Sequence, residues 1–417
     1  MILSGFLLLP GPARSVRLAR GQVLVRDGMI AEIAEGRRLG EPDLGSDRSI
    51  ICPGFVDTHL HLPQFDCIGV DGLTLLDWLR SAVFPTEVRW QDAAHAGHAA
   101  ARAARRLLSH GTTAIAAYAT VHHAGTQAAI HAAGDAGLRG VIGQVLMDQQ
   151  APTELIRPAG QLLEEAARLL GHGRIWPAVT PRFAVSCSDA LLAGAGALAA
   201  KSGWMIQSHL SEMREECDLV RRLHPGSGGG EPTYTEVYAR AGLLTRRTVL
   251  GHGIWLSDGE RQLLAAAGTV IAHCPTANLF LQAGLMDRAG HLQAGVRVAL
   301  GSDVAGGPDI SMVRVARAMI ETAKRARMAD GQTPIPSAAE AFWQITAGNA
   351  DAIGMSDAGR IAAGDPADLV VIDPDRAAGL GLSDAARDQD PLSALLYGWD
   401  ERCLSHTLSA GRVVYSG

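Results

Sequence analysis

Several features that mark other protein classes are scarce in this sequence of 417 residues. No apolar run reaches the roughly 18 residues that a membrane-spanning helix needs, so no such helix is expected. The six cysteines form no Cys-x-x-Cys pair and no dense framework, which is typical of reduced thiols in a cytoplasmic protein. The 43 acidic and 37 basic residues form no long run of one sign, so the charge pattern offers no footprint for nucleic acid or an anionic membrane.

The chain does contain ample apolar material for a large core. Hydrophobic residues make up 47% and charged residues 19%, which excludes a disordered or fibrous protein. Within the first fifty residues, positions 22–34 alternate apolar and polar side chains around Asp27-Gly28, a strong hairpin signal, and the last fifty also contain strand-like segments. Neither end has enough strands for a sheet of its own, so we expect both ends to form one small β-sandwich domain.

The middle of the chain alternates short apolar runs with helical stretches rich in Ala, Leu and Arg. The runs are mostly apolar rather than alternating, as expected of parallel strands covered on both faces. Eight such units predict an α/β fold with a (β/α)8 TIM-type barrel. We expect the barrel at residues 53–362 and the two parts of the β domain at 1–52 and 363–417. The candidate barrel strands are residues 54–57, 113–117, 139–146, 175–180, 204–208, 248–251, 269–272 and 296–301.

Metal-binding residue types follow several of these strands, at the end where function sits in such a barrel. His59 and His61 come after the first strand, and two residues on an extended segment at this spacing project to the same side. His209 follows the fifth strand, His252 the sixth and Asp303 the eighth. Imidazoles with one carboxylate suit zinc or another borderline divalent ion with a position open for water. The pattern predicts a metal centre at the mouth of the barrel.

Glu212 lies three residues after His209, where we expect a helix over residues 211–223. In one interpretation it compensates the helix dipole in the first turn, with Ser211 as the N-cap. In the other it is a proton shuttle beside the metal. The two roles are compatible, and we favour the shuttle.

The scarcity of lysine bears on the number of metal ions. Only Lys201 and Lys324 are lysine, and the other basic residues are arginine. Barrel hydrolases with two bridged metals commonly use a carboxylated lysine at the end of the fourth strand, but here that strand ends in VTPR at residues 179–182. A single-metal site is the better interpretation.

Five segments in this order, PGFVDTHLH, SHLSE, GHG, AHCPTANL and GSDVAGG, resemble the amidohydrolase superfamily over essentially the whole chain. Within that superfamily the chain is similar to the guanine deaminase family, on three further details. These are Gln64 in HLPQ, the LLDWL…FPTE segment that ends at Glu87, and PRF at residues 181–183 followed by SCS at 186–188.

The resemblance implies hydrolytic deamination of guanine to xanthine and ammonia by an enzyme with one Zn²⁺ per subunit, or Fe²⁺ as the alternative. The implied metal ligands are His59, His61, His209 and Asp303. His252 would lie beside the metal-bound water, Asp303 would take a proton from that water, and Glu212 would protonate ring N3 of guanine.

The resemblance also implies that Gln64, Arg182 and Phe183 contact the purine. The donors of Arg182 suit the acceptors O6 and N7 of guanine, although an ion pair at the barrel rim is an alternative role. Gln64 can donate and accept near N3 and N9, and Phe183 either flanks the ring or packs in the core.

The sequence also contains other histidines near the strand ends and leaves other functions open. His122 and His123 follow the second strand and are interpreted as supporting or loop residues, and His273 is expected to shape the pocket and support His252. One alternative function is a single-metal amidohydrolase acting on a related ring, such as 8-oxoguanine or an amino-triazine, and another is a non-catalytic scaffold. The expected partner is a small-molecule purine, with no nucleic acid and no membrane. The reduced thiols favour the cytoplasm, and the resemblance suggests a homodimer.

Overall fold

The computed structural model describes residues 1–226, 231–377 and 389–417. Both chain ends contribute to one seven-stranded mixed sheet, as expected. Its hairpin between the second and third strands turns at Asp27 (φ 50°) and Gly28 (φ 81°), the left-handed conformations that the Asp-Gly pair favours. Numbered along the chain, the strands of this sheet are β1 (Ile2–Pro10), β2 (Val16–Arg26), β3 (Met29–Glu35), β4 (Leu44–Pro53), β13 (Leu369–Ile372), β14 (Leu404–Ser409) and β15 (Arg412–Ser416).

The two ends meet where β13 pairs antiparallel with β4, with Leu369 opposite Pro53 and Ile372 opposite Ile50. The order across the sheet is β15-β14-β13-β4-β1-β2-β3. The N-terminal segment therefore supplies four strands at one side of the sheet and the C-terminal segment three at the other. The residue limits proposed above for the domains stay a prediction.

The second sheet is the predicted barrel, with eight parallel strands in sequence order. Its first and last strands are joined through the segment that follows the last strand, because Asp303 N donates to His59 O at 2.8 Å and His61 N to Val304 O at 3.0 Å. The strands are β5 (Phe55–His61), β6 (Thr112–Tyr118), β7 (Arg139–Leu146), β8 (Arg174–Pro181), β9 (Ile206–Leu210), β10 (Thr248–His252), β11 (Val270–His273) and β12 (Arg297–Leu300).

Helices cover the outside of the barrel. In the described residues they are α1 (Leu75–Trp78), α2 (Phe84–Val88), α3 (Ala93–Ser109), α4 (His123–Ala136), α5 (Ala159–Ala167), α6 (Asp189–Ser202), α7 (Arg214–Leu223), α8 (Tyr234–Arg240), α9 (Asp258–Ala267), α10 (Pro275–Phe280), α11 (Arg288–Gln293), α12 (Met312–Asp330), α13 (Ala338–Trp343), α14 (Asn349–Ala352) and α15 (Pro391–Tyr397). Among these, none is both long enough and apolar enough to cross a bilayer.

Each barrel strand presents alternate residues to the interior and to the helices. On β11, Val270 and Ala272 belong to a cluster of small side chains inside the barrel. Ile271, between them, belongs to the larger cluster that the strands form with the surrounding helices. This alternation decides which side chains of a strand end can reach the mouth.

Candidate active site

Three histidines and one aspartate converge at the carboxyl end of the barrel strands. His59 and His61 lie on β5, His209 lies on β9, and Asp303 follows β12. One ligand atom from each of these residues lies within 4.8 Å of the others, and all four residues are buried. The strands β5 and β9 run further than the sequence predicted, so the histidines lie within the strands rather than after them. The cluster could hold a metal ion.

The hydrogen bonding of these histidines fits a divalent cation. Neither ring nitrogen of His59 has a hydrogen-bond partner, nor does Nδ1 of His61, although all three atoms are buried. Burial lowers the pKa of His59, His61 and His209 well below the usual value, so the rings are neutral and offer lone pairs. Neutral imidazoles with a carboxylate are a typical donor set for a borderline divalent ion.

The surroundings hold these rings in position. His209 Nδ1 donates to the carbonyl O of Arg182 at 2.6 Å, which leaves its Nε2 lone pair for the cluster. The ring of Tyr118, on β6, packs 4.4 Å from that of His61 and 5.0 Å from that of His59, centroid to centroid. A Cβ at Gly251 would lie 2.6 Å from His59 Cε1, so only glycine fits there.

Glu212 and His252 form a second group around Asp303. His252 Nε2 lies 3.5 Å from Glu212 Oε2 and 3.8 Å from Asp303 Oδ2. On its other side His252 Nδ1 donates to Asn278 Oδ1 at 2.9 Å. Asn278, on α10, was missed from the sequence, although it lies in the AHCPTANL segment. The hydrogen bond between His252 and Asn278 fixes the imidazole so that its Nε2 faces the cluster.

The structure corrects the local geometry expected around Glu212. The helix begins at Arg214, so Glu212 is not in its first turn and Ser211 is not its N-cap. Ser211 has a left-handed φ of 49°, which turns the chain between β9 and the helix. The first-turn acids are instead Glu215 and Glu216, and Glu216 Oε2 accepts from Glu212 N at 2.8 Å.

Glu212 is therefore free of a helix-capping role and faces the cluster. It is 3% exposed, and its Oε1 has no hydrogen-bond partner. Burial, and then the nearby Asp303 carboxylate, raises the pKa of Glu212 well above its usual value. A carboxylic acid in such an environment keeps its proton to a higher pH than an exposed one and can transfer it.

A pocket opens over this cluster. Gln64, Arg182 and Phe183, the three residues predicted to hold the substrate, all line it together with Glu212 and His252. The remaining wall includes the apolar side chains Leu75, Trp78, Leu79 and Leu281. The pocket therefore combines polar groups at the metal-binding end with an apolar wall.

Arg182 also makes the ion pair that was considered as its alternative role. Its Nη1 lies 2.6 and 2.7 Å from the two carboxylate oxygens of Glu87, on α2. Arg182 is 3% exposed and Glu87 is fully buried. Phe84 lies against the guanidinium at 5.6 Å. Arg182 thus both pairs with Glu87 and lines the pocket.

Glu87→Gln is expected to destabilise the fold by about 3 kcal/mol, because it leaves the buried Arg182 charge uncompensated. Glu321→Gln is the matched control, since Glu321 pairs with Arg317 at the same kind of distance, 2.7 Å, on an exposed helix surface. Glu321→Gln should lower the free energy of unfolding by less than about 1 kcal/mol. Urea denaturation of the two variants and the parent protein measures the difference, and equal shifts would contradict a structural role for Glu87.

Three other histidines lie away from the cluster. His122 precedes α4 and its Nδ1 lies 3.3 Å from Arg157 Nη2. His123 is the first residue of that helix. His273 does not support His252 as expected. It lies two residues after Ile271 on β11, so both side chains point to the same side of the strand, toward the helices. There His273 lines a separate cavity.

Comparisons with known proteins agree with this geometry. A model of the Amidohydrolase family matches residues 50–414. Guanine deaminase from Dictyostelium discoideum is 34% identical over 340 residues, which are 80% of this chain and 74% of that protein. Guanine deaminase from Escherichia coli strain K12 is 33% identical over 375 residues, which are 88% of this chain and 83% of that protein. The crystal structure of guanine deaminase from C. acetobutylicum with bound guanine has a TM-score of 0.91 at 28% identity and covers 99% of both chains.

Proposed function

The chain belongs to the amidohydrolase family, and we propose that it is a metal-dependent enzyme that hydrolyses guanine to xanthine and ammonia. One observation carries the proposal. A three-histidine, one-aspartate cluster lies in the same pocket as an unpartnered buried glutamate and three side chains suited to a purine. The similarity to guanine deaminases over most of the chain supports guanine as the substrate.

We propose one Zn²⁺ per subunit, with Fe²⁺ as the alternative, held by His59, His61, His209 and Asp303. The donor set and the unpartnered ring nitrogens support this assignment. When bound, such an ion would lower the pKa of a coordinated water to about 7 and so supply a nucleophile at neutral pH.

The proton transfers are assigned to Asp303 and Glu212. Asp303 accepts the proton of the attacking water, and Glu212 gives its proton to N3 of guanine as the water oxygen adds to C2. The amine then takes the proton held by Asp303 and leaves as ammonia when the C2–N bond breaks, while the proton of the new C2 hydroxyl returns to Glu212, which leaves xanthine with C2=O and N3–H. His252, whose Nδ1 donates to Asn278, presents its Nε2 lone pair to the hydroxyl of the attacking oxygen and holds that oxygen against C2.

Purine recognition is assigned to Arg182, Gln64 and Phe183. Glu87 binds Nη1 of Arg182, and we assign the rest of the guanidinium to O6 and N7 of guanine. Gln64 Oε1 accepts from Ala305 N at 3.2 Å, which orients its amide so that Nε2 can donate to the ring. Phe183 packs against the edge of the purine.

Removing both charges of the buried pair tests this assignment without leaving one of them unpaired. Arg182→Met combined with Glu87→Gln should lower kcat/KM for guanine by roughly 100-fold, the upper range for a bidentate contact to a base. For 2-aminopurine, which lacks O6, the loss should stay below about tenfold. Metal content should not change. Equal losses for the two purines would contradict the role of Arg182 at O6.

The same pocket also defines a substrate panel. Comparing kcat/KM for guanine, 8-oxoguanine and an amino-triazine on the metal-loaded protein tests the proposed substrate against its alternatives. We expect guanine to be preferred, and a preference for either of the others would replace it.

Assembly and compartment are proposed as well. We propose a homodimer, as the family resemblance suggests, and light scattering on the purified protein tests it. We propose the cytoplasm because Cys52, Cys67, Cys187, Cys217 and Cys274 are free thiols, four of them buried, which suits a reducing compartment. Fusion to a fluorescent protein in the source cell would test this placement.

A further inference from the structure

Three helices around the barrel begin with the same capping arrangement. On α7, α8 and α9 a glutamate three residues after the N-cap folds back, and its carboxylate accepts from the backbone N–H of the N-cap residue. These glutamates are Glu216, Glu236 and Glu260. A carboxylate in this place stabilises the first turn of a helix, and that effect needs no further function.

Glu216 differs from the other two in what it holds. Its Oε2 accepts from the N-cap Met213 N at 3.2 Å and, in a shorter bond, from Glu212 N at 2.8 Å. On α8 and α9 the corresponding bonds go to the N-cap residues themselves, from Thr233 N at 2.7 Å and from Ser257 N at 2.9 Å. The carboxylate on α7 therefore also holds the residue before the N-cap, and that residue is the proposed proton donor.

The burial of Glu216 is not explained by capping. Glu216 is 1% exposed, and its Oε1 has no hydrogen-bond partner. Glu260 is also buried, but both of its oxygens accept, one from Ser257 N and the other from the Thr235 hydroxyl. Glu236 makes the same cap while exposed to solvent. Because a buried carboxylate with an unsatisfied oxygen lowers stability, the position of Glu216 points to a role at the neighbouring site.

The segment that carries Glu212 is held from two sides. The carbonyl O of Ser211 accepts from two backbone N–H groups in the loop after β10, at 3.0 and 3.1 Å, and that strand carries His252. Glu216 accepts from the next N–H along the chain, that of Glu212. The two sets of bonds fix the peptide from which the Glu212 side chain leaves, and so place its Oε2 3.5 Å from His252 Nε2.

We propose that Glu216 is a positioning residue for the reaction: by accepting from Glu212 N and Met213 N, it holds the Glu212 carboxyl group where its proton passes to the substrate ring. The inference rests on the proposed function, because that function gives Glu212 the proton transfer. A displacement of about 1 Å, caused by a change away from the reacting atoms, can slow a reaction about 100-fold. Loss of the two hydrogen bonds should therefore lower kcat.

The test is a double-mutant cycle on the metal-loaded enzyme. Glu216→Ala should lower kcat about 10- to 100-fold and leave KM within about twofold of the parent value, because it misplaces the proton donor and not the groups that bind the ring. In a Glu212→Gln background no acidic proton remains to be positioned, so the same substitution should lower kcat by less than about twofold. Equal losses in the two backgrounds would overturn the proposal, because a general loss of structure acts in both.

Glu260→Ala is the matched control, because it removes a buried capping glutamate from α9. It should lower the melting temperature at least as much as Glu216→Ala does, since Glu260 makes more hydrogen bonds, and it should leave kcat and KM unchanged. Glu216→Gln should keep kcat within about threefold of the parent value, since an amide oxygen can accept from the same two N–H groups. A glutamine variant as slow as the alanine variant, or an equal kcat loss in Glu260→Ala, would contradict the role of these hydrogen bonds.

Glu216→Asp replaces the alanine variant if that variant does not fold. It keeps a carboxylate but is one methylene shorter, so it cannot reach both N–H groups and should show the same selective loss of kcat. The cycle uses guanine or whichever ring of the substrate panel the parent protein turns over, so rejection of guanine as the substrate does not decide it.

Hydrogen exchange gives a readout that needs no substrate. The amide hydrogens of Glu212 and Met213 should exchange faster in Glu216→Ala than in the parent protein, and at the parent rate in Glu260→Ala. Unchanged exchange in Glu216→Ala would overturn the proposal, whereas a parent protein that turns over none of the rings would reject the proposed function instead.

Discussion

Glu212→Gln should leave the metal content unchanged and lower kcat for guanine by about 10²- to 10⁴-fold, the usual contribution of a positioned acid or base. Glutamine has nearly the shape of glutamate but has no acidic proton to transfer. Glu212 is buried, its Oε1 has no hydrogen-bond partner, and its nearest polar neighbour on the cluster side is His252 Nε2 at 3.5 Å. The substitution therefore removes the proton while the pocket keeps its shape.

Glu215→Gln is the matched control for this variant. Glu215 is three residues along the same segment, is exposed, and lies in the first turn of α7. It should retain the parent kcat. Measured side by side with metal analysis, a Glu212→Gln variant that keeps more than about a tenth of the parent kcat would remove Glu212 from the proton transfer.

His61→Ala should lose both the metal and the activity. His61 Nε2 lies 3.0 Å from His209 Nε2 and 3.4 Å from Asp303 Oδ1, so it is at the centre of the cluster. Substitution of a residue that only supports a metal ligand typically lowers metal affinity or activity by about 10- to 100-fold. The loss on removal of a ligand itself should exceed that range. Plasma mass spectrometry of the dialysed protein measures the metal, and guanine turnover measures the activity.

His122→Ala is the control that separates this effect from a general loss of imidazole near the mouth. His122 contacts Arg157 rather than the cluster, so this variant should keep its metal. Chelation should inactivate the parent protein, and added Zn²⁺ should restore the parent but not His61→Ala. Retention of stoichiometric metal by His61→Ala would contradict the ligand set.

The barrel and the histidine cluster were predictable because they depend on periodicity along single strands. The carboxyl ends of parallel strands meet at one mouth, so residues at strand ends can be brought together without knowledge of side-chain contacts. His59 and His61 are two apart on an extended strand, and this spacing alone places them on one side. The helices were located less well. The helical stretch before β8, for example, begins only at Ala159, because Pro158 disfavours a helical Arg157.

The errors concern contacts between distant segments and the local course of the chain. Glu87 and Arg182 are 95 positions apart, and only the fold brings Glu87 to the guanidinium. Asn278 reaches His252 across two neighbouring barrel units in the same way. His273 was assigned to the wrong side of β11, because the sequence does not state which residues of a short apolar strand face inward. Glu212 was assigned to a helix that begins two residues later, after the left-handed turn at Ser211.

The most direct test of guanine deamination is to incubate purified, zinc-loaded protein with guanine and to measure released ammonia together with the ultraviolet change from guanine to xanthine. We expect one ammonia and one xanthine for each guanine consumed, and turnover at least about 100-fold slower for Glu212→Gln. If zinc-loaded protein releases no ammonia from guanine, the assignment of the pocket to guanine is wrong.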